Sequence, residues 1–147
     1  GTRVAIEGPF GTFTKHQSHK GRPILLIGGG VGITPIRALL EELPTDRDIS
    51  LIYRTSNEEG LIFLEEITEL AKQKCVRLHV LPGSRRLYPL DSAHLLQLVP
   101  NVRECEIYIC GPTALTEVIR ESARALGMPK ARVHSEIFEY HTVMEGE

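Results

Sequence analysis

The sequence predicts an α/β fold: an open, doubly wound, five-stranded parallel sheet with helices on both faces. Three observations carry that reading. Short apolar runs recur along the 147 residues, and amphipathic stretches long enough to cross back over a sheet separate them. The run Ile24-Leu25-Leu26-Ile27 is aliphatic throughout, as a strand buried on both faces requires. It leads into Gly28-Gly29-Gly30-Val31-Gly32-Ile33-Thr34-Pro35, a glycine turn followed by a helix start.

Taken in order, Thr2 to Glu7 alternate as a short strand that the turn residues Gly8-Pro9-Phe10-Gly11 close. Lys15 to Gly21 is polar and basic and reads as a surface connection. His16 and His19 within it have a spacing that some metal sites use, but no cysteine or carboxylate accompanies them, so a solvated loop is expected. After the strand from Ile24, Thr34 is the expected N-cap and Pro35 the first helical residue. Ile36, Leu39, Leu40 and Leu43 continue the helix with apolar residues at helical spacing. Pro44 to Asp48 forms a loop and Ile49 to Arg54 a second strand. A helix is expected over Leu61 to Lys74, with acids early and lysines late as its dipole prefers. Val76 to Leu81 is a third strand, broken by Pro82-Gly83. Asp91-Ser92 caps a short helix through Leu98. Glu106 to Cys110 is the fourth strand, Thr113 to Leu126 a helix stopped by Gly127 and Pro129, and Val133 to Phe138 the fifth strand. His141 to Glu147 is a polar tail.

The totals exclude several classes. A hydrophobic fraction of 41% and a charged fraction of 24% are ordinary for a globular domain. A net charge of −2 gives no basis for nucleic acid or an anionic membrane as partner. No apolar run approaches the roughly 20 residues that span a bilayer, and no basic-then-apolar leader is present. Cys75, Cys105 and Cys110 are odd in number and form no C-x-x-C pair, which fits a reducing, cytoplasmic setting. Four residues separate Cys105 from Cys110, as in some iron–sulfur ligand sets, but the third close cysteine is missing. The chain begins without Met and reads as part of a longer protein.

In an open α/β sheet, ligands bind beyond the carboxyl ends of the strands, near the switch in strand order. Those ends are Gly28–Pro35, Tyr53-Arg54-Thr55-Ser56, Gly83-Ser84-Arg85-Arg86, Cys110-Gly111-Pro112 and Ser135-Glu136-Ile137-Phe138. The glycine turn with a helix N-terminus suits an anionic phosphate. It is not the G-x-G-x-x-G/A dinucleotide fingerprint, because Ile33 stands where a small residue is needed, nor a mononucleotide loop ending in Gly-Lys-Ser/Thr. Tight packing therefore remains an equal explanation for the glycines. Where dinucleotide enzymes place an acid for a ribose 2′-hydroxyl, this chain has Arg54 with Thr55 and Ser56, and then Ser84 with Arg85. Such donors suit a 2′-phosphate dianion; two solvated arginines are the plainer alternative. Cys110, at the end of an apolar strand, reads either as a buried structural thiol or as a small polarizable group beside a nicotinamide ring.

Together these residues resemble the ferredoxin–NADP reductase superfamily, over its pyridine-nucleotide domain from about Arg3 to Phe138. Within it the likeness is to the C-terminal part of ferric-reductase and NADPH-oxidase-like bacterial flavocytochromes. The motif G-G-G-x-G-x-T-P is Gly28 to Pro35, C-G-P is Cys110-Gly111-Pro112, the acid-and-aromatic ending is Glu136 and Phe138, and Gly8-Pro9-Phe10-Gly11 looks like the junction leaving a flavin barrel. The resemblance implies a Rossmann-like domain over 21–140, the end of a flavin barrel and a linker over 1–20, and a tail over 141–147. It implies that Gly29, Gly30, Gly32, Thr34 and Pro35 hold the pyrophosphate and ribose, with Gly111 and Pro112 beside them. Ser84 and Arg85 would bind the 2′-phosphate, with Arg54 or Ser56 in support. Cys110 would lie beside the nicotinamide C4 and Glu136 near it, and Phe138 would pack on the isoalloxazine. Tyr53-Arg54-Thr55 departs from the aromatic-Gly-Ala-Arg stretch of members that use a 2′-hydroxyl cofactor.

The function implied is hydride transfer from NADPH to FAD, with onward one-electron transfer to haem, ferric iron or an iron–sulfur partner. FAD would be bound mainly by an upstream domain, joined in some relatives by a haem-bearing membrane domain, this chain being a cytoplasmic part. An NADH-using member and a non-catalytic nucleotide-sensing domain are the alternatives.

Overall fold

The computed structural model describes residues 21–44, 46–56, 61 and 63–137. The expected strand at Thr2–Glu7, the Gly8–Gly11 turn, His16, His19, Phe138 and the tail from His141 lie outside the described residues. The elements alternate as predicted: β1 (Ile24–Gly29), α1 (Ile33–Glu42), β2 (Ile49–Thr55), α2 (Leu64–Lys74), β3 (Arg77–Pro82), α3 (Ser92–Leu98), β4 (Glu106–Gly111), α4 (Thr113–Ala125) and β5 (Val133–Ile137). The five strands form one sheet in the order β3-β2-β1-β4-β5, and every pairing is parallel. The order reverses between β1 and β4, whose residues pair Gly28 with Cys110.

Alternation along the strands divides the core in two. Leu25 and Ile27 of β1, Ile52, Ile107 and Ile109 pack on Leu95 of α3 and on Leu115, Ile119 and Ala123 of α4. Their neighbours Ile24, Leu26, Leu51, Tyr53 and Tyr108 pack on Ile36, Leu39 and Leu40 of α1 and on Ile67 of α2. A period of two along a strand sends successive side chains to opposite faces, so the all-aliphatic β1 feeds both clusters. Each buried leucine or isoleucine contributes about 1.5–3 kcal/mol over remaining exposed, and this central strand supplies two such side chains to each layer.

The boundaries differ from expectation in instructive places. The helix at the glycine turn starts earlier than the sequence suggests. Gly30–Gly32 already wind as a 3₁₀ turn, with the Ile33 N–H directed at the carbonyls of Gly30 and Val31, so α1 begins at Ile33. Gly32, not Thr34, precedes the helix, and no side chain caps it; Thr34 and Pro35 are its second and third residues. Proline is tolerated there because first-turn N–H groups have no partner inside the helix. At α2, Phe63 takes a left-handed φ of 63° and accepts from the Ile67 N–H, so the helix starts at Leu64 and excludes Leu61. Strand β2 extends to Thr55, β3 to Pro82 and β4 to Gly111. Asp91 caps α3 as expected, its carboxylate accepting from the His94 N–H at 2.9 Å.

A buried acid ties the opposite end of the sheet together. Glu106, 2% exposed at the start of β4, faces Arg22 at 3.3 Å and His134 of β5 at 2.8 Å. The His134 ring stacks on Tyr108 with centroids 4.6 Å apart. A buried carboxylate needs such partners to offset its lost hydration.

Candidate functional site

The carboxyl ends of β1, β2, β3 and β4 converge on a cavity of about 630 Å³, lined by Gly29 and Gly30, by Arg54, Thr55 and Ser56, by Gly83, Ser84 and Arg85, and by Pro112. That volume is ordinary for a small-molecule or cofactor site. Tyr88, Pro89 and Leu90 complete one wall, and Ala114, Leu115 and Val118 of α4 complete another. Two guanidinium groups and the hydroxyl-bearing residues Ser56, Ser84 and Tyr88 line this space together with Thr55, and no carboxylate is among the described residues that line it. Pro112 and Ala114 bring the N-terminal turn of α4 to it, with the partial positive charge of unpaired N–H groups.

The parity of the strands selects this face. Arg54 follows Ile52 by two residues, so it points to the α3 and α4 side and not into the α1 and α2 layer. Its guanidinium donates to the Thr55 carbonyl at 2.8 Å and to the Gly83 carbonyl, stitching the end of β2 to the turn after β3. Burial, and then the neighbouring Arg85 cation, hold Arg54 below the usual arginine value. An anion in the cavity relieves both costs at once. Arg85 and Ser84 are exposed at the mouth.

The glycines divide between packing and site. A Cβ on Gly32 would overlap the carbonyl group of Cys110, so its lack of a side chain is what lets α1 sit against β4. A Cβ on Gly29 would lie 2.5 Å from Leu115. Gly30 differs: its φ is +55°, nothing stands where a Cβ would go, and it lines the cavity. The packing reading holds at Gly29 and Gly32, while Gly30 has the open space that the ligand reading requires.

Of the residues expected to hold a nucleotide, Gly29, Gly30, Arg54, Ser56, Ser84, Arg85 and Pro112 share this one cavity. Gly32, Thr34, Pro35 and Gly111 do not line it; Thr34 is exposed on α1 and Gly111 packs on Gly29 and Leu115. Cys110 is fully buried in the α1 and α2 layer, on the other face of the sheet from Arg54. Burial, and then Glu136, push its thiol up to about 12, so it is neutral at pH 7. Glu136 pairs with Cys110 across β4 and β5 and is exposed. Tyr88, Leu90, Ala114, Leu115 and Val118 escaped the sequence reading. The α4 residues stand one, two and five positions after the Gly111-Pro112 turn's Thr113, a helical spacing that could have found them once that turn was placed at the site.

Residues 26–121 match the family model described as the oxidoreductase NAD-binding domain. The chain is 32% identical over 142 residues to the ferredoxin reductase component of 3-ketosteroid-9-alpha-monooxygenase from Rhodococcus rhodochrous, which covers 94% of this chain and 40% of that protein. It is 30% identical over 148 residues to a flavohemoprotein of a Burkholderia species, covering 94% of the chain and 37% of the relative. The chain therefore spans about two fifths of the length of these curated relatives. Among solved structures, the FAD/NAD-binding domain of nitric oxide dioxygenase from Vibrio cholerae superposes with a TM-score of 0.69 at 27% identity, over 81% of this chain and 52% of that one.

Proposed function

We propose, because the chain belongs to the oxidoreductase NAD-binding domain family of the ferredoxin reductase superfamily, that it is the NADP(H)-binding part of a flavin-dependent oxidoreductase. The reading rests above all on the cavity at the strand ends, which offers two arginines and the hydroxyls of Ser56, Ser84 and Tyr88, with no carboxylate among the described residues that line it. A 2′-phosphate carries up to two negative charges and needs that donor set, whereas a ribose 2′-hydroxyl is served by an acid. Ser84 and Arg85, at the open mouth, are the proposed 2′-phosphate contacts. Arg54, already spent on two carbonyls, keeps the turn in place and adds its charge. Gly30 and the first turn of α4 supply unobstructed backbone for the pyrophosphate.

FAD, held mainly by an upstream domain, would accept hydride from NADPH and release electrons singly to haem, ferric iron or an iron–sulfur partner. Phe138, the residue that would pack on its ring, lies outside the described residues. Cys110 and Glu136 are the proposed nicotinamide-side pair. A thiol with a pKa near 12 cannot act as a nucleophile or base at pH 7, and this one is fully buried, so Cys110 would serve by supporting the backbone that leads into the Gly111-Pro112 turn. We place the domain in the cytoplasm; no helix among the described residues is long and apolar enough to cross a membrane.

Replacing Arg85 by Ala in the full-length protein should lower kcat/KM for NADPH about 10- to 100-fold, as loss of charge-assisted hydrogen bonds does, and leave NADH nearly unchanged. Equal losses would reject the 2′-phosphate assignment and favour the NADH-using reading, which the two carbonyl contacts of Arg54 support. A sequence upstream of residue 1 that lacks the R-x-Y-S/T flavin motif would favour the nucleotide-sensing reading.

A further inference from the structure

The segment Gly83–Leu90 forms one wall of the cavity and carries Ser84 and Arg85. Its two ends are fixed by different means. At the start, the Gly83 N–H donates to the Thr55 carbonyl at 2.9 Å, and its carbonyl accepts from Arg54. At the far end, Leu90 adopts a φ of +54°, a left-handed conformation that a leucine takes only when its surroundings enforce it. Three contacts do so. Its side chain is 1% exposed, its N–H donates to His94 Nδ1 at 3.0 Å, and its carbonyl accepts from Ser122 Oγ at 2.8 Å. Neither His94 nor Ser122 is among the residues that line the cavity.

Ser122 is a buried hydroxyl on the packed face of α4, 4% exposed. It also lies 2.8 Å from the Val118 carbonyl, so its one proton serves two acceptors, of which Leu90 is the one outside its own helix. His94 is on the first turn of α3, held there by the Asp91 cap. A ring nitrogen that accepts from a backbone N–H carries no proton; in the imidazolium both nitrogens are donors, and this bond cannot exist.

We infer that His94 and Ser122 are positioning residues for nucleotide binding: they clamp Leu90 in its left-handed conformation, hold the Ser84–Pro89 wall over the cavity, and release it when His94 is protonated. The inference rests on the cavity being the nucleotide site. The groups facing His94 act in both directions. Asp91, at the helix cap, favours the charged ring. His79 on β3 is a basic neighbour, with Arg77 beyond it on the same face of that strand, and the Tyr88 ring stacks at 6.4 Å. His79 opposes the charge when it is itself protonated, and Ser122 reaches Leu90 from α4. His79 is itself held below the ordinary histidine value, by burial first and then by Arg77 and His94.

Calorimetric titration of the full-length protein with NADP⁺ and NAD⁺, at neutral and mildly acidic pH, tests this. The 2′-phosphate titrates in the same range, with a second pKa of about 6, so His94→Asn is the reference. Its amide oxygen can accept the Leu90 N–H and does not titrate. It should bind NADP⁺ within about twofold of wild type at neutral pH and lose less affinity on acidification. His94→Leu should bind NADP⁺ roughly three- to tenfold more weakly at neutral pH, the loss of one buried hydrogen bond, and should lose less for NAD⁺. Ser122→Ala should weaken NADP⁺ similarly while keeping the wild-type response to acid. Superimposable pH profiles for wild type and His94→Asn would overturn the clamp, and that pair decides even if His94→Leu does not fold. Absence of saturable binding of either nucleotide to wild type would instead remove the nucleotide site itself, and the clamp with it.

Discussion

The two faces of the sheet meet the same edge and are built in opposite ways. On the α3 and α4 face, the strand ends open into a cavity with two guanidinium groups, hydroxyls and a glycine with free space above its Cα. On the α1 and α2 face, Gly32 lies directly on the Cys110 carbonyl, and the thiol beneath it is buried and neutral. Gly30 and Gly32 are two residues apart, and one serves access while the other serves contact. Charge recognition needs space and solvated donors, whereas a helix packed on a strand needs the removal of both.

Glycine substitutions test that contrast with the largest expected effect. Gly32→Ala should destabilise the protein by about 3 kcal/mol or more, because backbone on both sides must move. Gly30→Ala should cost only about 1–2 kcal/mol, the strain of an L-residue at positive φ. Urea unfolding of the pair measures the difference, and similar midpoints would refute the division. Cys110→Ala comes next. Its void should cost about 1 kcal/mol and leave nucleotide affinity within about twofold, because the thiol does not line the cavity. In the complete enzyme it should slow flavin reduction more than it weakens binding; unchanged stopped-flow reduction would leave Cys110 a packing residue alone.

Thiol chemistry sharpens the same comparison at smaller energetic scale. Cys75 is exposed, while burial pushes Cys105 and Cys110 each up to about 12. A thiol-specific reagent at neutral pH should titrate one cysteine quickly and the other two only on unfolding. The smallest effect belongs to His79, on the cavity face. Its pKa is lowered on folding, so between that value and the ordinary 6.5 the unfolded chain binds more protons. Stability from this group is present above the window and lost as pH falls through it. His79→Gln should flatten the acid side of the stability curve; an unchanged curve would show that other groups set it.

How much was legible follows from the range of each interaction. The order of elements was readable because period and punctuation are local: β1 is apolar at every position, and α4 stops at Ala125, just before Gly127 with its φ of +80°. Seven of the expected nucleotide contacts share one cavity because strand ends in a parallel sheet must converge. Tyr88 and Leu90 were not readable, since they reach the site through a loop whose course depends on His94 and Ser122. The start of α1 differs because threonine and proline are good cap signals, yet Gly30-Val31-Gly32 upstream had already begun to wind.

By itself the sequence determined the parallel α/β class, the family motifs and the strand ends that meet at the cavity. Those depend on residue type and spacing alone. Only the tertiary structure decided which face each strand-end residue takes. It sent Arg54 into the cavity and Cys110 into the core, although both stand at the ends of apolar strands. That assignment is a matter of strand parity and register against neighbouring helices, and a shift of one residue would exchange the two.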